Sequence, residues 1–80
     1  MDVIVNPIRS SRTDWSLDDR LGRHHGMIRQ SAGFAPFEIE PEPTSALLGV
    51  NRAHMTLAEA MSAIARRMGG ACELNSHDWD

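Results

Sequence analysis

The chain contains no lysine and no tyrosine, only one cysteine, and no long apolar run. A lone Cys72 excludes an internal disulfide, which is typical of proteins from a reducing cytosol. No segment approaches the roughly 20 apolar residues of a membrane-spanning helix. The N-terminal residues also lack the basic start and apolar stretch of a signal peptide. We therefore expect a cytoplasmic protein.

The aromatic content is also low, with two Trp and two Phe. This argues against a platform that stacks single-stranded nucleic acid on aromatic side chains. All eight basic residues are arginine, and the net charge is −3. Residues 1–37 hold five Arg and four Asp, whereas residues 38–80 hold three Arg and seven acids. This asymmetry predicts one acidic and one mildly basic surface.

Eighty residues predict a single small domain, 1–80, with residues 75–80 as a polar tail. Its best-defined element is a helix over Thr56–Met68. Thr56 and Glu59 have the spacing of a capping box, and Gly69 is placed to end the helix in the left-handed conformation. Apolar residues recur every three or four positions and form one face of the helix. That face requires an apolar surface to cover.

The remaining apolar segments predict strands. Short strands are expected at residues 3–5, 15–18, 23–30 and 34–40 or from Phe37 onward, with a further apolar run at 45–50 and a short last strand at 71–74. In the segment 23–30 we expect His24 and Ile28 on one face and His25 and Met27 on the other. The predicted fold is α+β, an antiparallel sheet of three to five strands with the helix on one face. The predicted core comprises Trp15, Leu17, Ile28, Phe37, Ile39, Leu48, Val50, Leu57, Met61, Ile64 and Met68.

No pattern predicts catalysis, a cofactor or a metal ion. Adjacent His24 and His25 on a strand would point to opposite faces, and the spacing from Cys72 to His77 matches no strong zinc motif. Cys72 follows a helix C-terminus, where the helix dipole does not favour a thiolate. We therefore predict a protein that is not an enzyme and has no catalytic, cofactor-binding or metal-binding residues.

Arg20, Arg23 and Arg29 surround the first predicted hairpin, together with His24 and His25. A basic hairpin can dock on nucleic acid, because phosphate contacts supply most non-specific affinity. These three arginines are therefore candidate partner-binding residues. The ordinary alternative is a solvated turn whose charge is neutralised by the neighbouring Asp18 and Asp19.

Glu38, Glu40 and Glu42 alternate along a predicted strand. In an extended chain their carboxylates would project from one face about 6.8 Å apart, because each residue advances the strand by about 3.4 Å. This spacing is about twice the axial step of roughly 3.4 Å between phosphates on one DNA strand. The acidic row is therefore a candidate DNA mimic and partner-binding site. Pro41 and Pro43 would stiffen it. The ordinary alternative is a solvated strand face.

One layout of residues resembles a known class of proteins. It consists of Trp15-x-Leu17-x-Asp19-Arg20-Leu21-Gly22-Arg23, Gly26-x-Ile28, Phe37-x-Ile39 and Thr56-Leu-Ala-Glu-Ala60. It is similar to small phage and prophage proteins of GC-rich bacteria. In size, acidity and α+β build, the chain resembles the anti-CRISPR inhibitors of type I systems. The resemblance implies a non-catalytic protein that binds the crRNA-guided surveillance complex, Cascade, and stops it from engaging target DNA. The resemblance does not assign a binding role to any particular residue of this chain.

The resemblance thus implies a phage-borne inhibitor whose partner is a bacterial CRISPR effector complex in the host cytoplasm. In this reading the protein contacts neither a membrane nor nucleic acid directly. The first alternative is a small nucleic-acid-binding regulator that uses the Arg-rich hairpin, and another is a structural or assembly protein of a mobile element. We also expect a homodimer, because a sheet with one helix leaves an apolar face or a strand edge uncovered.

Overall fold

The computed structural model describes residues 1–8, 13–31 and 36–75, which form one sheet with a helix on one face. The elements are β1 (Val3–Pro7), β2 (Asp14–Asp19), β3 (His24–Arg29), β4 (Phe37–Pro41), β5 (Ala53–His54), α1 (Leu57–Met68) and β6 (Cys72–Leu74). The strand order is β5-β4-β3-β2-β1-β6. The α+β prediction is confirmed, but the expected three to five strands are wrong, since the described residues form six.

The sheet differs from the predicted antiparallel meander in two ways. The run 45–50 forms consecutive turns instead of a strand, closed by bonds from Leu48 N–H to the Ser45 carbonyl and from Val50 N–H to the Leu47 carbonyl. The strand that pairs with β4 lies after this run, at Ala53–His54. The sheet is also not a pure antiparallel meander, because β6 pairs in parallel with β1. Helix α1 carries the chain from the β5 edge to the β6 edge, and at about 1.5 Å per residue it is long enough to span several strands.

Helix α1 has the ends that the sequence predicts. The Thr56 hydroxyl accepts a hydrogen bond from Glu59 N–H, as in a capping box, and the Glu59 carboxylate accepts one from Met55 N–H, one residue before the N-cap. Gly69 ends the helix with a φ of 69°. Ala60, Ile64 and Met68 are its buried residues. The helix therefore turns its apolar face onto the sheet.

A β-bulge changes the faces of β3. The register with β2 pairs Leu17 with Gly26 but Asp18 with His24, so His25 is an extra residue. His25 consequently points to the helix side and is buried, whereas His24 lies on the opposite face with Met27. The predicted simple alternation of this strand is therefore wrong, although the two imidazoles do face apart.

The core lies between α1 with the 45–50 turns and the inner face of the sheet. Its buried apolar residues are Val3, Val5, Leu17, Ile28, Ile39, Leu47, Val50, Ala60, Ile64 and Met68. Trp15, Phe37, Leu57 and Met61 are partly buried against them, as predicted. Leu48 is wrong as a core residue because the turns expose it, and its neighbour Leu47 takes the buried position. The predicted strand start at Phe34 and the aromatic Trp79 lie outside the described residues.

The pair Leu47 and Leu48 gives a direct test of this packing. Leu47 is fully buried and Leu48 is 44% exposed. We expect Leu47→Ala to lower the free energy of unfolding by about 3 kcal/mol, because truncation leaves a cavity. Leu48→Ala should change it by less than about 1 kcal/mol. Urea denaturation of both variants measures the difference, and equal losses would contradict the assignment.

Candidate functional site

The sheet surface opposite α1, here called the open face, gathers most of the acidic residues. Strand alternation and register place there the side chains of Ile4, Asn6, Ser16 and Met27 and a set of charged residues. The carboxylates are those of Asp2, Asp14, Asp18, Glu38, Glu40, Glu42 and Glu73. Among the residues that the structure describes, the cations on this face are Arg20 and Arg29, joined by His24 when it is protonated. The open face is therefore strongly acidic.

The glutamate row lies at one side of this face. Glu38 and Glu40 are exposed in β4, and Glu42 follows the strand end with its N–H donating to the His25 carbonyl at 2.9 Å. This bond continues the pairing beyond Pro41, so all three side chains stay on the open face. Their spacing is that of alternate strand residues, about 6.8 Å.

Two of the three glutamates have partners on β3. Arg29 Nε lies 3.3 Å from Glu40 Oε2, with both side chains more than half exposed. His24 Nε2 lies 3.6 Å from Glu42 Oε1, which is beyond hydrogen-bonding distance. Glu38 has no ion pair with any residue in the described ranges. Exposed pairs of this kind contribute little stability, so the row remains available to a stronger partner.

A hydrogen-bonded cluster occupies the centre of the open face. Asp18 Oδ2 accepts bonds from Asn6 Nδ2 at 2.8 Å and from Ser16 Oγ at 3.0 Å. Asp18 Oδ1 lies 3.1 Å from His24 Nδ1, and Ser16 Oγ lies 3.2 Å from the same nitrogen. A serine activated by an aspartate-oriented histidine needs the two groups on different ring nitrogens. This cluster therefore fixes the orientation of Asp18 and His24 without forming a catalytic triad.

The structure does not bring the three hairpin arginines together as one basic patch. Arg20 pairs with Asp2 and Glu73 at 3.2 and 3.4 Å near the β1–β6 edge. Arg23 pairs with Asp19 at 3.0 Å on the helix side. Arg29 lies at the other end of β3, on the glutamate row. Each guanidinium already has a carboxylate partner, which disfavours a phosphate-binding hairpin.

A second polar cluster, Asp19–His25–Ser45, is buried on the helix side and was not predicted. Asp19 Oδ1 accepts bonds from the N–H groups of Leu21 and Arg23, at 2.8 and 2.9 Å. Its Oδ2 accepts bonds from Arg23 Nε and His25 Nε2, both at 3.0 Å. The His25 bond, followed by the Arg23 N–H, holds the pKa of Asp19 well below its usual range. Burial alone would act in the opposite direction.

The hydrogen-bond pattern places a proton on one ring nitrogen of His25. An ionised carboxylate only accepts, so His25 Nε2 donates to Asp19, and Nδ1 shares a hydrogen bond of 2.7 Å with Ser45 Oγ. Ser45 Oγ in turn accepts from Leu47 N–H at 3.1 Å, closing a turn. The cluster thus fastens the 42–50 segment to the hairpin. The Asp19–His25–Ser45 cluster forms only because the bulge turns His25 to the helix side. The spacing of these residues in the sequence therefore does not indicate the cluster.

The remaining candidates for reactive chemistry are the Cys72 thiol and a metal-binding cluster. Burial, with a smaller contribution from Glu73, raises the pKa of Cys72 to about 11, so its thiol stays protonated at neutral pH. Across the ranges that the structure describes, no cluster of three His, Cys, Asp or Glu side chains could hold a metal ion. His77 lies outside these ranges. No helix within them is long and apolar enough to cross a membrane.

Comparison with protein-family models, with curated proteins and with solved structures found no match for this chain. We therefore identify the acidic open face as the candidate functional site from the geometry of this structure alone.

Proposed function

We propose that the protein is a non-catalytic inhibitor that places its acidic open face on the basic, nucleic-acid-binding surface of another protein. The observation that carries this proposal is that, among residues 1–8, 13–31 and 36–75, seven carboxylates and two guanidinium groups gather on one side of the sheet. A surface that binds a polyanion must itself be basic. Complementary potentials of this kind steer association and fix the orientation of a complex.

The rigidity of the open face also favours this function. The face belongs to a hydrogen-bonded sheet, its central residues Asn6, Ser16, Asp18 and His24 are joined by hydrogen bonds, and the glutamate row lies beside prolines. Charges held in a fixed pattern lose little conformational entropy when a partner binds. A flexible acidic tail would lack this advantage.

The partner class proposed here is the crRNA-guided surveillance complex of a type I CRISPR system, because the chain resembles small inhibitors of such complexes. Bound through the open face, the protein would occupy the channel that receives target DNA. It would act in the cytoplasm of the host cell as a phage-borne protein. A homodimer stays a prediction of the sequence. The described open face, however, is charged, which leaves the strand edges for such a contact.

The test compares variants from the two sides of the molecule. Replacing Glu38, Glu40 and Glu42 together by glutamine should weaken binding to a purified type I surveillance complex by at least about tenfold, since three complementary charges are lost. Wild-type affinity should fall as salt is raised from low to moderate concentration. Competition between the protein and target duplex for the complex measures both effects.

Two further variants make the test decisive. The double change of Arg52 and Arg66 to glutamine removes exposed charges outside the open face and should leave binding unchanged. Changing Arg20, Arg23 and Arg29 to glutamine should keep or strengthen binding, since Arg20 and Arg29 are cations of the open face, whereas a basic-hairpin mechanism requires a loss. If the triple glutamate variant binds as well as the wild type while remaining folded, the proposed interface is wrong. If no surveillance complex binds the wild type, the proposed partner is wrong.

A further inference from the structure

The side of the molecule away from the open face carries a groove between α1 and the segment 49–54. Its volume is about 710 Å³, roughly twice that of two other clefts of about 360 and 320 Å³. On the helix, the lining runs from Ala58 to Arg67, a length of about 14 Å at 1.5 Å per residue. Small-molecule sites typically measure about 300–1,000 Å³. The groove therefore has the size of a ligand site.

One end of the groove holds a fixed guanidinium group. Arg67 donates from Nε to the Ala46 carbonyl at 3.0 Å and from Nη2 to the Leu48 carbonyl at 2.8 Å. Gly49, with a φ of +100°, lets the chain pass close by, since a Cβ there would lie 3.1 Å from Arg67 Nη2. These contacts hold the guanidinium in place and leave its Nη1 without a bond to any described residue.

Arg66 adds a second positive charge at the same end. Its side chain is exposed and has no hydrogen bond or ion pair with any residue of 1–8, 13–31 or 36–75. His54 lies across the groove, with Nε2 bonded to the Asn51 carbonyl, and the Ser62 hydroxyl lies on the helix side. The carboxyl end of α1 carries only about half a negative charge. The two guanidinium groups therefore outweigh it, and this end of the groove attracts anions.

The rest of the groove has a different character. Val50 and Ala63 supply apolar surface beside the arginine end, and Ala63 is half-buried against the core. Small side chains on a helix let a flat ring approach closely. Among the described residues of the lining, one acid is present: Glu59 lies toward the helix start and is bonded to Met55 N–H. The groove thus combines an anion-binding end with an apolar surface.

We infer that this groove binds a phosphorylated ligand of nucleotide size, with its phosphates on Arg66 and Arg67 and a flat apolar ring over Val50 and Ala63. Guanidinium groups match phosphate oxygens with two parallel N–H bonds, which gives Arg an advantage over other cations at such sites. The Ser62 hydroxyl can donate a further bond. This site lies on the side of the sheet opposite the open face, so it is independent of the proposed inhibitor function.

Titration of the full chain with ADP, adenosine and pyrophosphate tests the inference. In ¹⁵N-resolved NMR spectra, ADP should shift the signals of Ser62, Ala63 and the Arg66 side chain in a saturable way. Pyrophosphate should shift the arginine signals with weaker affinity. Adenosine, without phosphate, should bind at least about tenfold more weakly than ADP, a difference of about 1.4 kcal/mol.

Arg66→Gln and Arg52→Gln form a matched pair. Both side chains are exposed and make no polar contact with the described residues, but only that of Arg66 lines the groove. R66Q should weaken ADP binding at least about tenfold, and R52Q should leave it unchanged. An equal loss in both variants, equal binding of adenosine and ADP, or no shift at about 5 mM ADP would each overturn the inference. Neither variant alters the glutamate row, so the outcome does not depend on the inhibitor test.

Discussion

Gly26→Ala is expected to lower the free energy of unfolding by at least about 4 kcal/mol, which is a large share of the total stability of a domain of this size. Gly26 lies in the bulge of β3 with a φ of +149°, a conformation that L-residues rarely adopt. An added Cβ would lie 2.5 Å from the Glu40 carbonyl oxygen and 2.9 Å from Pro41 Cα. Both neighbours are backbone atoms of β4, so relief requires moving a strand.

Gly22→Ala is the matched control for this change. Gly22 also has a positive φ, 83°, but an added Cβ there meets no heavy atom within 4 Å. It should therefore cost only the conformational strain, about 1–2 kcal/mol. Urea denaturation of both variants separates strain from collision. Equal losses would show that β4 does not approach β3 as closely as the structure has it.

Gly26 also illustrates which parts of the fold could be predicted from the sequence. Helix α1 was predictable because its signals are local: the Thr56–Glu59 box, the apolar periodicity and Gly69 all lie within one short segment. The bulge was not, since it depends on how β3 meets both β2 and β4. A glycine inside a strand indicates a bulge or a close approach, but not which neighbouring residue changes face. Thus His25 was expected beside Met27 and is instead buried.

The wrong placement of Leu48 in the core, where Leu47 is found instead, has a related cause. Strand alternation distinguishes adjacent residues only if the segment is a strand, and residues 45–50 form turns. Which leucine is buried is then decided by long-range contacts, including the Arg67 bonds to the Ala46 and Leu48 carbonyls. Apolar composition showed that this run contributes to the core, but it did not show which side chain does so.

The candidate site was partly predictable for the same physical reasons. The acidic row at Glu38, Glu40 and Glu42 follows from a period of two, which is local. The wider acidic surface needs the strand order, because Asp18 on β2 and Glu73 on β6 share a face only when both flank β1. The pairing of Arg29 with Glu40 likewise requires the β3–β4 register. Charge asymmetry along the chain predicted an acidic surface without locating all of its members.

Asp19→Asn is expected to lower the melting temperature at pH 7 by about 10 °C or more, because a shift of several degrees accompanies each buried hydrogen bond lost in a domain of this size. The buried carboxylate accepts four bonds, from Leu21 N–H, Arg23 N–H, Arg23 Nε and His25 Nε2. An amide keeps one acceptor oxygen but replaces the other with a donor. Arg23 then loses its charged partner. The new amide NH2 group also faces N–H donors that the carboxylate oxygen accepted from, so two donors oppose each other within the Asp19–His25–Ser45 cluster.

The same variant should alter the response to acid. The pKa of Asp19 is lowered in the folded protein, chiefly by the His25 hydrogen bond, from an unfolded value near 3.8. Its stabilisation is therefore complete above about pH 4 and is lost as the pH falls below that value, where the unfolded chain binds the proton first. The wild-type melting temperature should fall steeply from pH 4 to pH 2. In Asp19→Asn the slope should be shallower but not zero, because the pKa of Asp2 is also lowered by the Ala71 N–H and Arg20.

Asp14→Asn provides the control for both readouts, since Asp14 lies on the open face and its side chain makes no hydrogen bond with the described residues. Its melting temperature at pH 7 should stay within about 3 °C of wild type, as for most surface substitutions. Its acid slope should match that of wild type. If Asp19→Asn melts like Asp14→Asn, or keeps the full wild-type slope below pH 4, the buried cluster does not fasten the 42–50 segment as described. Since the segment supplies Leu47 to the core, a true loss of the cluster should also increase hydrogen exchange at the Leu47 and Val50 amides before that of the helix.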